Sequence, residues 1–212
     1  MLEIIIFAII AFFVFKKLHS ILGEEDEAHF FGADFNNSFS QKIKDAEKVD
    51  NDLNNDNEED FAYLSAEAKE YVKELGNKID GFSLKKFQEI STKVLELVIK
   101  ANNEQNKDVI RKLLSKDLAD VVCLSFDDEN NKNNIILVEC VDNKVEDIKK
   151  TGSIFEICVN FKMRQINYTT DKESNIIDGD KSEILDVNER WHFIHDTRSK
   201  GKTWFVDRIE TY

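Results

Sequence analysis

The candidate catalytic side chains in this sequence are His192, His195 and Asp196. An isomerase or dehydratase uses an Asp or a His in a pocket to move protons. In an extended strand successive side chains point to opposite faces, so His192 and Asp196 share one face and His195 lies on the other. The alternative, which we favour, is that each is a strand-end or edge residue that meets solvent.

The other candidate nucleophiles and ligands are scattered. Cys123 and Cys158 have no basic partner nearby in the sequence, and with Cys140 they form an odd set without a CxxC spacing. This predicts reduced, inert thiols rather than a disulfide framework. His19 and His29 are too distant from the other histidines to complete a metal set. The sequence contains no P-loop, GxGxxG or HExxH motif, so we expect no catalysis, metal or cofactor.

Negative charge is concentrated in one segment. Residues 24–60 hold 13 acidic and 3 basic side chains, a net charge of −10, whereas residues 61–212 hold 28 acidic and 24 basic ones, a net charge of −4. Nucleic-acid binding needs a clustered basic surface. The charge distribution therefore predicts no nucleic-acid partner.

An apolar run near the N-terminus predicts a membrane anchor over residues 1–23. The run from Ile4 to Phe15 is uncharged, and Leu18 and Leu22 extend it toward the ~30 Å of a hydrocarbon core. Basic residues follow the run and none precedes it, which favours an uncleaved anchor over a signal peptide or a buried core helix. By the positive-inside rule the C-terminal body is then cytoplasmic. The anchor residues are Ile4, Ile5, Ile6, Phe7, Ile9, Ile10, Phe12, Phe13, Val14, Phe15, Lys16 and Lys17.

Residues 24–60 predict a flexible acidic linker. The segment is rich in Asp, Glu and Asn, and it cannot bury enough apolar surface to offset the entropy of its chain. Phe30, Phe31, Phe35 and Phe39 interrupt it. They form a motif for a partner, touch the bilayer, or are isolated apolar residues in a disordered chain; we favour the last interpretation.

Residues 61–212 begin with helical patterns. Phe61, Leu64, Tyr71 and Leu75 lie on one face of an amphipathic segment that ends at Ile79. This face either packs on the domain or contacts a membrane, and the weakly basic opposite face favours packing.

A stronger helix is predicted from Phe82 to Ala101. Ser83 can cap it, and Phe82 and Phe87 have the spacing of a hydrophobic staple. Two shorter helices follow, with Asn106 and Ser115 as their predicted caps.

After Asn134 the apolar period changes to two. Every second residue from Phe155 to Met163 is apolar, which predicts a half-buried strand. Residues 135–145, 183–196 and 203–210 are predicted as further strands. Helices followed by strands predict an α+β fold, with the helices packed on one face of a curved antiparallel sheet. Such a cone could hold an apolar pocket.

Four aromatic residues are candidates for lining that pocket: Phe161, Trp191, Phe193 and Trp204. At a pocket mouth they would favour an apolar protein segment or a lipid chain. Tryptophan is, however, more often a core residue, and we favour that role for Trp191 and Trp204.

The order of these features resembles a known family. The motifs are Phe-Lys-Lys-Leu-His-Ser-Ile-Leu-Gly (15–23), Asn-Lys-Asp-Val-Ile-Arg-Lys-Leu-Leu-Ser (106–115), and a closing Trp191-His192-Phe193 with Trp204-Phe205-Val206. The arrangement resembles the alphaproteobacterial TimA-like adaptors, which are similar to the C-terminal domain of Tim44, the tether of the mitochondrial import motor. The resemblance covers the anchor region and roughly residues 65–212.

The resemblance implies a cone-shaped domain like that of nuclear transport factor two. It also implies a non-catalytic adaptor at the cytoplasmic face of the bacterial inner membrane. Its partners would be membrane lipid, translocating chains, translocase components or a DnaK-type chaperone. Lipid-contacting helices of the mitochondrial relative correspond to residues 61–79. The alternative function is a small-molecule-binding or isomerase- or dehydratase-like enzyme that uses the cone pocket.

Overall fold

A computed structural model describes residues 61–79, 81–128, 130–199 and 203–212. The predicted anchor of residues 1–23 and the predicted linker of residues 24–60 lie outside the described residues. Among the helices of the described part, none combines the length and the apolar character that a membrane crossing requires.

Helices precede strands along the described chain, as the sequence predicts. The helices are α1 (Ala66–Lys78), α2 (Leu84–Asn103), α3 (Lys107–Leu113) and α4 (Lys116–Ser125). The strands are β1 (Lys132–Thr151), β2 (Ile154–Thr170), β3 (Ile176–Gly179), β4 (Leu185–Asp196) and β5 (Phe205–Thr211). The short strand β3 and the full length of β1 were not predicted.

The predicted start of α2 is confirmed in detail. The Ser83 hydroxyl accepts a hydrogen bond from the Lys86 amide at 3.2 Å, which satisfies one of the free donors of the first turn. The rings of Phe82 and Phe87 lie 6.3 Å apart, centroid to centroid, and close the staple around this cap.

Of the two other predicted caps, one is confirmed and one is wrong. The Asn106 side chain accepts a hydrogen bond from the Val109 amide at 3.2 Å at the start of α3. Ser115 occupies the cap position of α4 but makes no such bond, and its buried hydroxyl has no hydrogen-bond partner in the described part of the chain. Instead its backbone amide donates to the Val206 carbonyl of β5 at 2.8 Å, so the α3–α4 junction pairs with the sheet.

The strands form an antiparallel sheet in the order β1-β2-β4-β5, and β3 pairs with the far end of β2. Three irregularities interrupt the β1–β2 register between Leu137 and Asp147. Irregularities of this kind bend a strand and increase its twist, consistent with the predicted curved sheet.

The core lies between the helices and one face of the sheet. Phe155, Ile157, Val159, Phe161 and Met163 of β2 are each at most 2 % exposed, which confirms the predicted alternation. Their neighbours on β4 are Trp191, Phe193 and His195, which the register places opposite Val159, Ile157 and Phe155.

Helix α1 packs on this core through the face that the sequence identified. Phe61, Leu64 and Leu75 are buried, and the half-buried Tyr71 ring meets Phe155 edge-on at 6.1 Å. Lys150 of β1 bonds the Glu74 carboxylate at 2.7 Å. The apolar face of this segment therefore contacts the sheet in the structure, which is the packing alternative.

The sheet divides into two halves with different surroundings. The proximal half comprises residues 144–151 of β1, 154–163 of β2, 189–196 of β4 and all of β5. The distal half comprises residues 132–143 of β1, 164–170 of β2, β3, the β3–β4 turn and residues 185–188 of β4. The most deeply buried strand residues belong to the proximal half.

Candidate binding surface

Exposed aliphatic side chains gather in the distal half of the sheet. Val141 is 55 % exposed and Ile136 is 45 % exposed, although both belong to a long central run of β1. The full set is Ile136, Val138, Val141, Ile176, Ile177, Ile184 and Leu185. Single exposed apolar residues are ordinary, but a gathering of them indicates a surface that binds something.

An open groove of about 490 Å³ lies between α2 and the edge of β1, and Ile136 of this set lines it. Four aliphatic side chains line it, and the remaining lining is polar or charged. The lining residues are Ile99, Ile135, Ile136, Leu137, Glu96, Lys100, Asn103 and Glu104. Its volume lies within the range of about 300–1,000 Å³ that is usual for ligand pockets.

Two hydrogen-bonded contacts hold α2 against β1 at the ends of this region. At one end the Asn103 side chain donates to the Ile135 carbonyl at 2.6 Å and accepts from the Ile135 amide at 2.9 Å. At the other end Gln88 donates to the Asn143 carbonyl at 2.9 Å, and Asn143 donates to the Thr92 hydroxyl at 2.6 Å. Each contact satisfies strand groups that face away from β2.

Between these two contacts the backbone of β1 forms an open edge of the sheet. Amide and carbonyl groups alternate in direction along a strand, so those of Leu137 point the same way as those of Ile135. Ile135 bonds the Asn103 side chain there, and Leu137 opens on the groove. An edge of this kind can pair with an added strand.

Carboxylates dominate the electrostatics of the distal half. Its residues 132–143, 164–170 and 176–188 hold 6 acidic and 3 basic side chains, a net charge of −3. Burial, together with the Asp142 and Glu96 carboxylates, raises the pKa of the Cys140 thiol on the same edge. Lys100 lies 3.8 Å from Glu104, and this contact between two exposed side chains offsets the charge of Lys100 in part.

The four aromatic residues that were predicted to line a pocket lie together in the structure, in or beside the core. The Phe161 and Trp191 rings lie 5.6 Å apart, and those of Trp191 and Phe193 lie 6.4 Å apart. Phe161, Trp191 and Phe193 are buried, whereas Trp204 is half-buried and packs on Phe87 at 4.9 Å. A ligand-binding role for these four residues stays a prediction.

The groove was not predicted from the sequence, because the pattern at residues 135–138 differs from that of a half-buried strand. A half-buried strand has polar residues at alternate positions, whereas residues 135–138 read Ile-Ile-Leu-Val. Apolar residues on both faces of a strand require two covers. In this fold β1 is an edge strand, and at Ile136 the second face is exposed. The four consecutive aliphatic residues at 135–138 were therefore the feature of the sequence that could have indicated the groove.

The expectation that His192 and His195 meet solvent is wrong. Their exposed fractions are 6 % and 4 %. His195 bonds the Thr203 carbonyl through Nδ1 at 2.9 Å, and His192 lies 3.0 Å from the Glu156 carboxylate. Asp196 does lie at a strand end, where the Arg198 guanidinium at 2.8 Å lowers the pKa of its carboxyl.

The structure also gives Cys158 a basic partner that the sequence did not show. Its sulfur lies 3.9 Å from Nε2 of His192, whose Nδ1 faces Glu156. This has the order of nucleophile, base and orienting carboxylate. Burial and the nearby Glu146 carboxylate nevertheless raise the pKa of the Cys158 thiol to about 12. The thiolate is the reactive form, so this cysteine is inert at neutral pH.

In the described ranges, no three His, Cys, Asp or Glu residues are grouped so that they could hold a metal ion.

Comparison with known proteins adds one match. A family model described as the Tim44-like domain matches residues 68–211. No curated protein matches the chain. The family match spans both halves of the sheet, most of α1 and all of α2, α3 and α4, so the groove lies inside it.

Proposed function

The chain belongs to the Tim44-like domain family, and on this premise we propose that it is a non-catalytic, membrane-anchored adaptor that binds protein through the distal half of its sheet. In this proposal residues 1–23 cross the bacterial inner membrane once. Residues 24–60 are the tether, and the α+β domain is cytoplasmic.

The observation that supports binding is the open groove beside exposed aliphatic residues. A small-molecule enzyme would need an enclosed pocket with convergent polar groups. The inner face of the proximal half is instead packed with aromatic side chains, and Phe155 and Phe161 are fully buried. An open surface with an aliphatic floor suits a protein segment better than a small metabolite.

Protein is the better-supported ligand when it is weighed against lipid. Anionic membrane surfaces attract basic segments, but the distal half has a net charge of −3. The other candidate for lipid contact is the apolar face of residues 61–79, and its Phe61, Leu64 and Leu75 are buried on the domain. Translocating chains, translocase components and a DnaK-type chaperone are the protein classes that we propose to test first.

The test is a crosslinked purification of the full chain from native membranes, with the Ile136→Ser variant beside it. Leu124→Ser is the matched control, because Leu124 is the most exposed large aliphatic residue in the described part of the chain and lies on α4 outside the groove. We expect a chaperone, translocase or client protein to be enriched with the wild type and the control, and to be lost with Ile136→Ser. Equal enrichment by all three proteins would rule out the groove as the binding surface.

Alkaline carbonate extraction tests the anchor separately. The proposal predicts that the intact protein stays in the membrane pellet, because a spanning helix resists extraction whereas a peripheral protein is released. Release of the whole protein into the supernatant would rule out the span and leave the binding surface to be judged by the purification.

A further inference from the structure

We propose that the groove takes an extended protein segment of about six residues that carries aliphatic side chains together with Lys or Arg. The inference rests on the proposed function and specifies its partner. It follows from the length of the open edge, the lining of the groove and the charge around it.

The length of the segment follows from the two contacts between α2 and β1. Asn103 occupies the edge at Ile135, and Gln88 occupies it at Asn143. The free stretch between them is residues 136–142, about 23 Å at 3.3 Å per residue. Two of the three β1 irregularities fall inside this stretch, between Leu137 and Asp142, so a long regular ladder cannot form. A short strand is what fits.

The backbone amide and carbonyl of Leu137 determine where the backbone of the partner would pair. Its amide and carbonyl point along the same edge as those of Ile135, which already bond a side chain that imitates a neighbouring strand. An extended segment can place its own carbonyl and amide there, which is the usual way that a peptide adds to a sheet edge. Alternate side chains of that segment would then point toward Ile99 on the helix side of the sheet, and the side chains between them toward Ile136 on the other face.

The charge that we expect of the partner follows from the charged residues at the rim of the groove. Glu96 makes no ion pair with a described residue, whereas Lys100 is occupied by Glu104 at 3.8 Å. The nearby Asp142 lies 3.9 Å from Lys162, a distance that neutralises it only in part. Of the net charge of −4 in residues 61–212, −3 belongs to residues 132–143, 164–170 and 176–188 of the distal half. A segment with Lys or Arg complements this rim, and one with Asp or Glu is repelled.

The experiment measures fluorescence polarisation with the full chain in nanodiscs of phosphatidylcholine, a lipid without net charge. Three labelled hexapeptides serve as probes, in which leucine alternates with lysine, serine or glutamate. We expect the lysine probe to bind about fivefold more tightly than the serine probe, and the glutamate probe to bind most weakly. Ile136→Ser should weaken all three probes about fivefold, and Leu124→Ser should change none.

Two further comparisons separate charge from shape. Glu96→Gln should reduce the preference for lysine about twofold, and Glu89→Gln, on an exposed position of the same helix, should leave it unchanged. A lysine probe with N-methylated backbone amides keeps its side chains and loses its donors, so it should bind more weakly. Equal binding of the methylated probe would overturn the extended pairing.

The outcomes distinguish this inference from the proposed function. If all three probes bind equally well and lose affinity in Ile136→Ser, the groove binds protein but the charge inference is wrong. If Glu96→Gln leaves the lysine preference at its wild-type value, that preference arises elsewhere in the chain, and the inference is wrong again. If Ile136→Ser changes the affinity of none of the probes, both the inference and the proposed binding surface fail.

Discussion

The proximal and distal halves of the sheet are made from the same strands, β1, β2 and β4, but differ in what covers them. Val145 and Ile148 of β1 are at most 2 % exposed, and Ile136 of the same strand is 45 % exposed. The proximal half has α1 and α2 on its inner face. In the distal half α2 is hydrogen-bonded to β1 at its two ends, at Ile135 and at Asn143, and the groove opens between these contacts. Aliphatic residues in the distal half therefore contribute less to the core and remain available for a partner.

The largest difference between the halves should appear when one large side chain is removed from each. Phe161→Ala should lower the free energy of unfolding by about 3–5 kcal/mol, because it leaves a cavity in a fully buried site. Ile136→Ala should cost less than about 1 kcal/mol, because much of that side chain already contacts water. Urea unfolding followed by the fluorescence of Trp191 and Trp204, both close to the proximal core, measures both values. Similar losses in the two variants would contradict the division.

Local patterns predicted the proximal half well, because its signals lie within a few residues of each other. Ser83 with Lys86, and the alternation from Phe155 to Met163, belong to single elements. The surroundings of His192 depend instead on Glu156 and Arg208, which are 36 and 16 residues away. No periodicity along one strand encodes that proximity.

The distal half could not be predicted for a related reason. The run of four aliphatic residues at 135–138 indicates a strand with two apolar faces, but not that β1 would be an edge strand. The position of a strand in the sheet follows from pairing between distant segments, and the three irregularities of β1 follow from that pairing too. The predictions for residues 1–60 lie outside the described residues and stay predictions.

The junction between α2 and the distal half can be weakened at one residue. Asn103→Ala removes the bonds to both backbone groups of Ile135 and should cost about 1–3 kcal/mol, because it leaves part-buried groups unpaired. It should also speed hydrogen exchange in residues 132–137. The adjacent Asn102, whose side chain makes no described hydrogen bond, gives the control Asn102→Ala. Unchanged exchange in the Asn103 variant would show that this contact does not hold the edge.

A matched pair of serines tests how the helices support the proximal half. Ser83→Ala should cost about 1 kcal/mol, because the Lys86 amide loses its cap. Ser115→Ala should be neutral or slightly stabilising, because the buried Ser115 hydroxyl has no partner in the described structure. Thermal or urea unfolding decides between them. A larger loss at Ser115 would mean that this hydroxyl is paired in solution.

The smallest effect is expected at Glu189, where the two halves meet. Burial raises the pKa of its carboxyl, which accepts a hydrogen bond from the Trp191 indole at 2.8 Å. The folded state then holds its proton to a higher pH than the unfolded chain. The free energy of unfolding therefore falls as pH rises above the ordinary glutamate value of 4.5. Glu189→Gln keeps the acceptor and does not titrate. Its free energy of unfolding should therefore rise, relative to that of the wild type, by up to about 1 kcal/mol from acid to neutral pH. Parallel pH profiles for the two proteins would contradict the raised pKa.

Hydrogen exchange on the full chain in phosphatidylcholine nanodiscs, with and without the leucine–lysine probe, tests the central claim most directly. If the distal half is the binding surface, the probe should slow exchange in residues 132–142 of β1 and at the end of α2 near Asn103. Residues 154–163 and 189–196 of the proximal half should exchange as before. Protection confined to the proximal half or to residues 24–60, or no protection at all, would contradict the account.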